Sequence, residues 1–291
     1  LKGDLVDYPY SLPGRDRGQF LVTVKVEGAE LDYAEGWPRL TDLDGDLVFR
    51  ANRLEITPRS ARMAGVRLQR VRAVIPDMVH HDEVLEVTGE AESATADFLR
   101  FIAQSPVDRL LDGTTRDMEA QGQGRLALRL SLPLRHMQDT TIAGSYQFIN
   151  NRVVIDRDAP VLEAVNGRLE FTESSIRVNA ATVQLWGGPA SISVASQRDG
   201  TVRVNVAGRN SAENLRRELP EPWAQSLRGA ADWRATINYR RKVGDLMVES
   251  SLVGLGIDLP PPFNKAAADA LAMRFERVTG AQRDRLTVSV G

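Results

Sequence analysis

The stretch PRLTDLDGDLVF at residues 38–49 decides the fold, because it returns 122 residues later as PVLEAVNGRLEF at 160–171. The identical positions are Pro38, Leu40, Gly45, Leu47, Phe49 and Gly65, which match Pro160, Leu162, Gly167, Leu169, Phe171 and Gly187. Each copy of a tandem repeat shares its apolar face with a neighbour. The repetition therefore favours a stacked architecture over a self-contained globular enzyme.

A second recurring signal predicts where the repeats end. The segment LKGDLVDYP at 1–9 returns as LVGLGIDLP at 252–260, and a shorter version, LRLSLP, ends at Pro133. A repeat cut at both ends, in a chain of 291 residues that starts at Leu1, is typical of a fragment of a longer protein. The predicted parts are the end of a preceding repeat at 1–9, unit 1 at 10–133, unit 2 at 134–260 and the start of a third unit at 261–291.

The composition excludes several classes of function. With 37 Lys and Arg against 39 Asp and Glu, the net charge is −2, so no positive field exists to gather nucleic acid. The absence of cysteine removes disulfides, thiolate metal sites and thiol nucleophiles. No run approaches the roughly 20 apolar residues that span a bilayer, and no signal peptide is visible. The fragment is therefore expected to be soluble, and any role at membranes must come from its apolar surface.

Alternation of apolar and polar residues dominates the chain and predicts antiparallel strands with one apolar side. In the run 20–26, Phe20, Val22, Val24 and Val26 face one side of the strand, and Leu21, Thr23 and Lys25 face the other. The runs 126–132 and 202–206 follow the same pattern with leucine and valine. Roughly eight strands per unit would give a sheet of about 16 strands, which must curl. A closed sheet, two packed layers and an open trough all satisfy this requirement, and an extendable repeat favours the trough.

Turn and helix signals separate the predicted strands. Glu27-Gly28-Ala29, Asn150-Asn151 and Asp199-Gly200 predict hairpin turns, whereas Asp44-Gly45 and Asn166-Gly167 fit either turns or bulges within a strand. One helix is predicted at about 94–104, with Ser93 as its cap. A second is predicted at about 211–219, with Asn210 and Glu213 at capping-box spacing. The run PPPFNKAA at 260–267 is predicted to be a loop or crossover, because prolines supply no ladder donors.

The sequence holds no convincing metal or dinucleotide site. His80 and His81 are adjacent, and adjacent side chains of an extended segment point to opposite faces, so a solvated loop is the favoured interpretation. His136 stands apart from them. The Gly122-Gln123-Gly124 segment lies in an alternating strand without a following helix, which a phosphate site requires. No cofactor, metal ligand or catalytic residue is predicted.

Paired carboxylates leave a remote enzymatic alternative. Asp42 with Asp44, and Glu90 with Glu92, place two carboxylates on one strand face, as glycoside hydrolysis requires. Their arginine-rich, polar surroundings favour solvated strand edges instead. Four tryptophans could stack on sugars but are predicted to pack at the corners of the units: Trp37, Trp186, Trp223 and Trp233.

Three segments resemble the YhdP branch of the AsmA-like, repeating β-groove proteins of Gram-negative envelopes. They are FLRFIAQSPV at 98–107, GSYQFINNRVVID at 144–156 and LVGLGIDLPPPFNKAA at 252–267. The resemblance implies a mainly β fold, in which a long curved antiparallel sheet forms a groove from tandem repeats and carries two short helices. It also implies a periplasmic body, anchored in the inner membrane through parts absent here, that carries phospholipid between the inner and outer membranes. No catalytic residue accompanies the resemblance.

The leading hypothesis is a non-enzymatic conduit that shields phospholipid acyl chains. The alternative is a structural envelope scaffold with a closed apolar core and no ligand, and a carbohydrate-active enzyme is the remote third. Protein partners within the envelope are not identified by the sequence. The residues predicted to line the groove are Phe20, Val22, Val24, Leu47, Phe49, Leu54, Ile56, Leu126, Leu128, Leu130, Leu169, Phe171, Ile176, Val178, Val202, Val204 and Val206.

Overall fold

The computed structural model describes residues 18–79, 82–157, 159–218, 222–240, 243–279 and 283–291, together with Lys2, Gly3, Val6, Tyr8 and Tyr10. The predicted histidine pair, His80 and His81, lies outside the described residues. The described part is mainly β, as predicted, with 16 strands in one antiparallel sheet. Strands that are consecutive in the chain are neighbours in the sheet, except that β14 pairs with β12 and leaves β13 beside β15. The two end strands, β1 and β16, are not neighbours in this order, so the sheet is open.

The strands alternate with short connections. Their bounds are β1 Leu21–Leu31, β2 Leu40–Arg50, β3 Arg53–Met63, β4 Val66–Ile75, β5 Val84–Ala94, β6 Glu119–Pro133, β7 Thr141–Val154, β8 Leu162–Thr172, β9 Ile176–Leu185, β10 Gly188–Ser196, β11 Val202–Ser211, β12 Leu227–Arg240, β13 Val243–Ser250, β14 Leu255–Ile257, β15 Met273–Val278 and β16 Arg285–Val290. Three α-helices are described: α1 Thr95–Ala103, α2 Val107–Leu110 and α3 Ala212–Glu218. Short 3-10 helices span Met137–Asp139 and Pro222–Ser226.

The described chain divides into two compact units. Unit 1 comprises Leu1–Arg116, Gln123–Gln147 and Glu170–Ser174, and unit 2 comprises Asp117–Gly122, Phe148–Leu169 and Ser175–Gly291. The repeat boundaries drawn from the proline signals stay a prediction. Among the described residues, no helix is both long and apolar enough to reach across a bilayer.

The two principal helices lie where they were predicted, but their caps differ. Ala94, rather than Ser93, is the residue before α1, and the Ser93 hydroxyl donates to Asp97 Oδ2 at 2.5 Å. At α3, the Ser211 hydroxyl accepts from the Asn214 backbone N–H at 3.1 Å. The predicted capping box starting at Asn210 is therefore wrong, because the buried Asn210 amide is used elsewhere. The short helix α2 was missed, since four residues are too few to show helical periodicity.

Two predicted hairpin turns are bulges within strands. Gly28 lies inside β1 and Asn150 inside β7, and both have a positive φ, 58° and 49°. Each donates its backbone N–H to the next strand, Gly28 to Asp44 Oδ1 at 2.7 Å and Asn150 to Asn166 Oδ1 at 2.9 Å. Asp44-Gly45 and Asn166-Gly167 are likewise within strands, whereas Asp199-Gly200 forms the predicted turn.

These irregularities recur at the offset of the sequence repeat. Gly28 and Asn150 are 122 residues apart, as are the members of each further pair of residues with positive φ. Those further pairs are Asp42 with Ala164, Ala64 with Trp186, and Gly65 with Gly187. A repeated sequence therefore specifies a repeated bulge, including the side-chain oxygen that accepts its free N–H.

The proline-rich segment is a loop, as predicted, and a buried lysine closes it. Lys265 is 8% exposed, and its Nζ donates to three carbonyl oxygens, those of Leu252 and Leu255 at 2.8 Å and of Ala266 at 3.0 Å. The buried ammonium group is thereby satisfied by three backbone carbonyls, and it ties the loop to the segment that contains Leu252 and Leu255. The loop joins β14 to β15.

We expect Asn166→Ala to lower the free energy of unfolding by about 1 kcal/mol, because the Asn150 N–H loses its acceptor. The Asn166 amide also donates to the Ala164 carbonyl at 2.9 Å. Asn166→Asp keeps the acceptor and loses only that donor, so its loss should be smaller. Urea unfolding of the two variants and the wild type measures the difference, and equal losses would contradict the role assigned to the acceptor.

The bulge of β1 should weaken in acid while the bulge of β7 does not. The hydrogen bond from the Gly28 N–H, and then that from Ser60, lower the pKa of Asp44 below its usual 3.8. A lowered pKa contributes stability that is present above the unfolded pKa and is lost as pH falls through the folded one. Amide exchange should therefore show protection of the Gly28 N–H falling below about pH 4, after correction for intrinsic exchange. Asn150, whose acceptor is an amide, is the internal control, and parallel loss at both would refute the assignment.

Candidate functional site

The predicted lining residues of β1 to β6 come together on one face of unit 1. Cross-strand pairing aligns Val24, Leu47 and Ile56, and continues through Ala73, Val87 and Leu130. A parallel row aligns Val22, Phe49, Leu54 and Ile75. Directly paired residues of an antiparallel sheet project to the same side. We call this side the apolar face of unit 1.

The apolar face of unit 1 continues toward the end that carries the helices. A further row pairs Ala61, Leu68, Ala91 and Leu126, and Leu128 lies opposite Gly89. Phe20 immediately precedes β1, where its carbonyl accepts from the Ala51 N–H at 3.0 Å. The ring of Phe171 lies so close to Gly144 that any side chain there would overlap it.

Unit 2 builds an equivalent face from β9 to β16. One row aligns Val178, Val194, Val204, Ile237 and Leu246, and the next contains Ala181, Ile192, Val206, Ala235, Val248, Phe275 and Val288. Val202 pairs with Tyr239 at one end. We call this side the apolar face of unit 2. Ile176 begins β9, and Leu169 lies two residues before Phe171 in β8.

Sequence reasoning missed about half of the residues on these faces. Ala73, Ile75 and Val87 in unit 1, and Ile237 and Leu246 in unit 2, are in register with the predicted ones. Bulges hide the period of two, as between Gln69 and Arg72 in β4, where the register shifts. These residues could have been found by pairing each strand with a neighbouring strand whose apolar residues had already been recognised.

In unit 1 the middle of the apolar face is partly exposed, while its helix-bearing end is buried. Val22 and Val24 are 40% and 41% exposed, and Leu47, Phe49 and Ile56 are half-buried. In contrast, Ala61 is 2% exposed. Of the 17 predicted lining residues, only Val206 is buried. Within the described part of each unit, the hydrocarbon side chains therefore keep surface that a ligand can cover.

Helices cover the buried ends of both faces. In unit 1 the Phe98 ring of α1 meets Tyr146 edge to face at 5.2 Å, and the Tyr146 hydroxyl donates to Thr95 Oγ1 at 2.9 Å. In unit 2, α3 packs through Ala212 and Leu215 on a cluster with Leu227, Ala231 and Leu255. Tyr146 lies over Gly124, and Trp233 over Gly208, so glycine provides the space for each ring.

Buried amide groups join the strand ends of unit 2. The Asn210 Nδ2 donates to the carbonyls of Leu185 and Trp186, both at 2.9 Å, and its Oδ1 accepts from Trp233 Nε1 at 2.6 Å. Trp186 and Trp233 lie 5.8 Å apart. In unit 1, Trp37 lies 6.1 Å from both Tyr33 and Phe101. Trp37 and Trp186 lie in the connections between β1 and β2 and between β9 and β10, whereas Trp233 lies in the middle of β12. The Trp223 side chain is outside the described residues.

The opposite side of the sheet is charged and carries cross-strand ion pairs. Glu55 accepts from Arg72 at 2.7 Å, Asp46 from Arg59 at 3.0 Å and Asp232 from Arg209 at 2.9 Å. The hydrogen bond from Arg72 lowers the pKa of Glu55, so this carboxylate stays charged at neutral pH. In unit 2 this side also holds an open depression of about 1000 Å³, lined in part by Arg234, Glu249 and Arg274. Charged and apolar residues both line this depression.

The predicted carboxylate pairs have structural partners. Asp42 pairs with Arg62 at 3.4 Å, Asp44 accepts the bulge N–H, Glu90 pairs with Arg70, and Glu92 pairs with Arg125 at 3.3 Å. The described residues contain no group of three or more potential metal ligands. Gly122-Gln123-Gly124 lies in β6, which is followed by another strand.

Comparisons with known proteins agree with the resemblance seen in the sequence. A family model described as YhdP protein matches residues 1–291. The chain is 24% identical over 277 residues to the intermembrane phospholipid transporter YhdP of Escherichia coli (strain K12). This match covers 92% of the chain and 21% of the relative, so the chain spans about a fifth of that protein's length. No solved structure matches the chain.

Phe49→Asp should leave the protein folded, because Phe49 is half-buried and water can reach the new carboxylate. Ala61→Asp should cost several kcal/mol, because an unpaired carboxylate would be buried where the wild-type residue is 2% exposed. Circular dichroism and thermal unfolding compare the two variants. If Phe49→Asp unfolds the protein as completely as Ala61→Asp does, the closed apolar core is the correct description of this face.

Proposed function

Because the chain belongs to the YhdP family, we propose that it is a segment of a phospholipid conduit between the inner and outer membranes. The E. coli relative is named as an intermembrane phospholipid transporter. The proposed cargo is phospholipid, the proposed location is the periplasm, and the proposed role is non-enzymatic. Other parts of the longer protein would supply the membrane anchor and the contacts with both membranes.

One observation carries the proposal. Over β1 to β6, the residues in register on the apolar face of unit 1 include no charged side chain, although the middle of the face is partly exposed. A face that only filled a core would be buried, and a face that only contacted water would carry charges. An exposed and uncharged hydrocarbon surface of this extent is typical of a site that binds apolar ligands or partners.

The physical mechanism follows from the continuity of the rows. Each methylene group of an acyl chain gains about 0.8 kcal/mol when it leaves water for an apolar surface. The six strands of one row are about 4.8 Å apart, so the row offers roughly 24 Å of unbroken hydrocarbon contact. A chain moving from one side chain to the next exchanges equivalent contacts. It therefore does not pay the full cost of entering water at each step.

The lining residues named from the sequence are proposed to contact the acyl chains. Direct support comes from their register, because the predicted members in β1 to β3 and in β6 fall on one face. The added residues Ala73, Ile75 and Val87 close the gap between these strands. The headgroup is proposed to stay in water at the margin of the face.

Val24→Asp should weaken phospholipid binding about tenfold or more while changing the free energy of unfolding by about 1 kcal/mol or less. Val24 is 41% exposed and lies on the apolar face, so a carboxylate there stays hydrated in the free protein but opposes hydrocarbon. The matched control is Thr23→Asp, one residue earlier on the opposite face of the same strand.

Native mass spectrometry of the purified chain, loaded with phosphatidylethanolamine, measures the bound fraction for each variant. Retained lipid in the wild type and in Thr23→Asp, with loss in Val24→Asp, supports the conduit. A wild-type chain that retains no lipid would favour the structural scaffold. Equal loss in both aspartate variants would show that the apolar face is not the binding surface.

A further inference from the structure

The apolar face of unit 2 carries one charged side chain among its described strand residues, whereas that of unit 1 carries none. Arg277 in β15 pairs with Leu246 on one side and Leu286 on the other. Ile237 continues the same row. The guanidinium therefore stands on a surface that is otherwise made of hydrocarbon and small or uncharged polar groups.

The guanidinium is only partly engaged by its partner. Arg277 Nε donates to Asp284 Oδ2 at 2.8 Å, and Nη2 lies 2.8 Å from the same oxygen, so the ion pair uses a single carboxylate oxygen. Within the described part of the chain, Nη1 and the second carboxylate oxygen have no recorded partner. The two side chains are 42% and 35% exposed, which leaves the pair accessible to a ligand.

Arg277 lies at one end of β15, and the uncharged part of the apolar face lies toward the other end of the strand. Arg277 is the second-last residue of β15, which ends at Val278. Gly244 lies on the intervening strand β13, and a Cβ there would sit 3.5 Å from Tyr239 Cδ2, so the Tyr239 ring lies against this glycine. Toward the other end of β15 the face continues with Phe275 and Met273.

The ion pair by itself adds little to the stability of the fold. An ion pair that is partly removed from water gains little net stability, and apolar residues of similar size are often as good. A planar guanidinium offers paired N–H donors that match the oxygens of a phosphate. A phospholipid presents such a phosphate directly beside its hydrocarbon tails, which is the arrangement of Arg277 beside the apolar face.

We infer that Arg277 binds the phosphate of a phospholipid headgroup at the margin of the apolar face of unit 2, with Asp284 orienting the guanidinium. This inference rests on the proposed function, because it assigns the headgroup end of the same cargo. Nη1 and the free hydrogen of Nη2 donate to the phosphate oxygens. The tails lie on the uncharged part of the face, along Phe275 and Val248.

The test compares two lipids with identical acyl chains, phosphatidylethanolamine and diacylglycerol, which lacks the phosphate. The full chain is loaded with each lipid, and native mass spectrometry gives the ratio of the two bound fractions. Arg277→Leu should reduce this phosphatidylethanolamine preference about tenfold and leave diacylglycerol binding unchanged. The matched control is Arg234→Leu, an arginine on the opposite face of β12, which should keep the wild-type preference.

Two further variants distinguish phosphate binding from a structural ion pair. Arg277→Lys keeps the charge but not the paired donors, so its preference should fall between those of the wild type and Arg277→Leu. Asp284→Asn keeps an oxygen that can orient the guanidinium but removes the negative charge that competes with the phosphate, so the preference should rise. A structural ion pair predicts no change of preference in either variant and lower thermal stability in both. These two variants decide the matter if Arg277→Leu does not fold.

Each outcome has one meaning. An unchanged preference in Arg277→Leu overturns the inference while leaving the conduit intact. A wild-type chain that binds neither lipid overturns the proposed function instead. Inorganic phosphate that binds the lipid-free wild type and displaces phosphatidylethanolamine at equal concentration would show a site for the free anion rather than for a headgroup.

Discussion

The structure depends on keeping the side chains of each strand on the correct face across its bulges. Successive side chains of a strand alternate, so one extra residue would turn the rest of the strand over and exchange its apolar and charged sides. A residue with positive φ absorbs the extra position at Gly28, Asp42 and Arg70 in unit 1. The next strand then accepts the displaced N–H, as Asp44 does for Gly28. The two faces remain distinct only because these bulges restore the alternation.

This separation of faces places hydrocarbon and charge on opposite sides of the same strands. In β3, Ile56 belongs to the apolar row, and Glu55 points away and pairs with Arg72. Cross-strand ion pairs stabilise the polar side of the sheet, and their charged groups stay in contact with water. Among the described residues, no comparable second layer lies over the middle of the apolar face of unit 1, and α1 covers one end of that face. In unit 2, α3 likewise covers one end of its own face. Under the proposed function, the acyl chains of phospholipids cover this hydrocarbon.

Much of the architecture was predictable because it depends on local alternation and on repetition. The 16 antiparallel strands, both principal helices and the loop around Lys265 match the sequence analysis. The errors fall on Gly28, Asn150 and Asn210. A glycine or asparagine with positive φ serves a hairpin turn and a bulge equally well, so local chemistry does not separate them. Asn210 was misassigned because its partners, Leu185 and Trp186, are distant in the chain.

The sequence by itself determined the period of the strands, the repeat at 122 residues and the apolar character of the predicted lining. The period and the apolar character are visible in neighbouring residues, and the repeat is visible when the sequence is compared with itself. None of these requires knowledge of which strands pair. Only the tertiary structure decided that Val24 lies in one row with Val87, with three strands between them. It also decided that Val22 stays exposed while Ala61 is buried, and that Arg277 lies between two leucines. The register of the strands and the burial of each side chain depend on contacts between residues far apart in sequence. Alternation within one strand carries no information about these contacts.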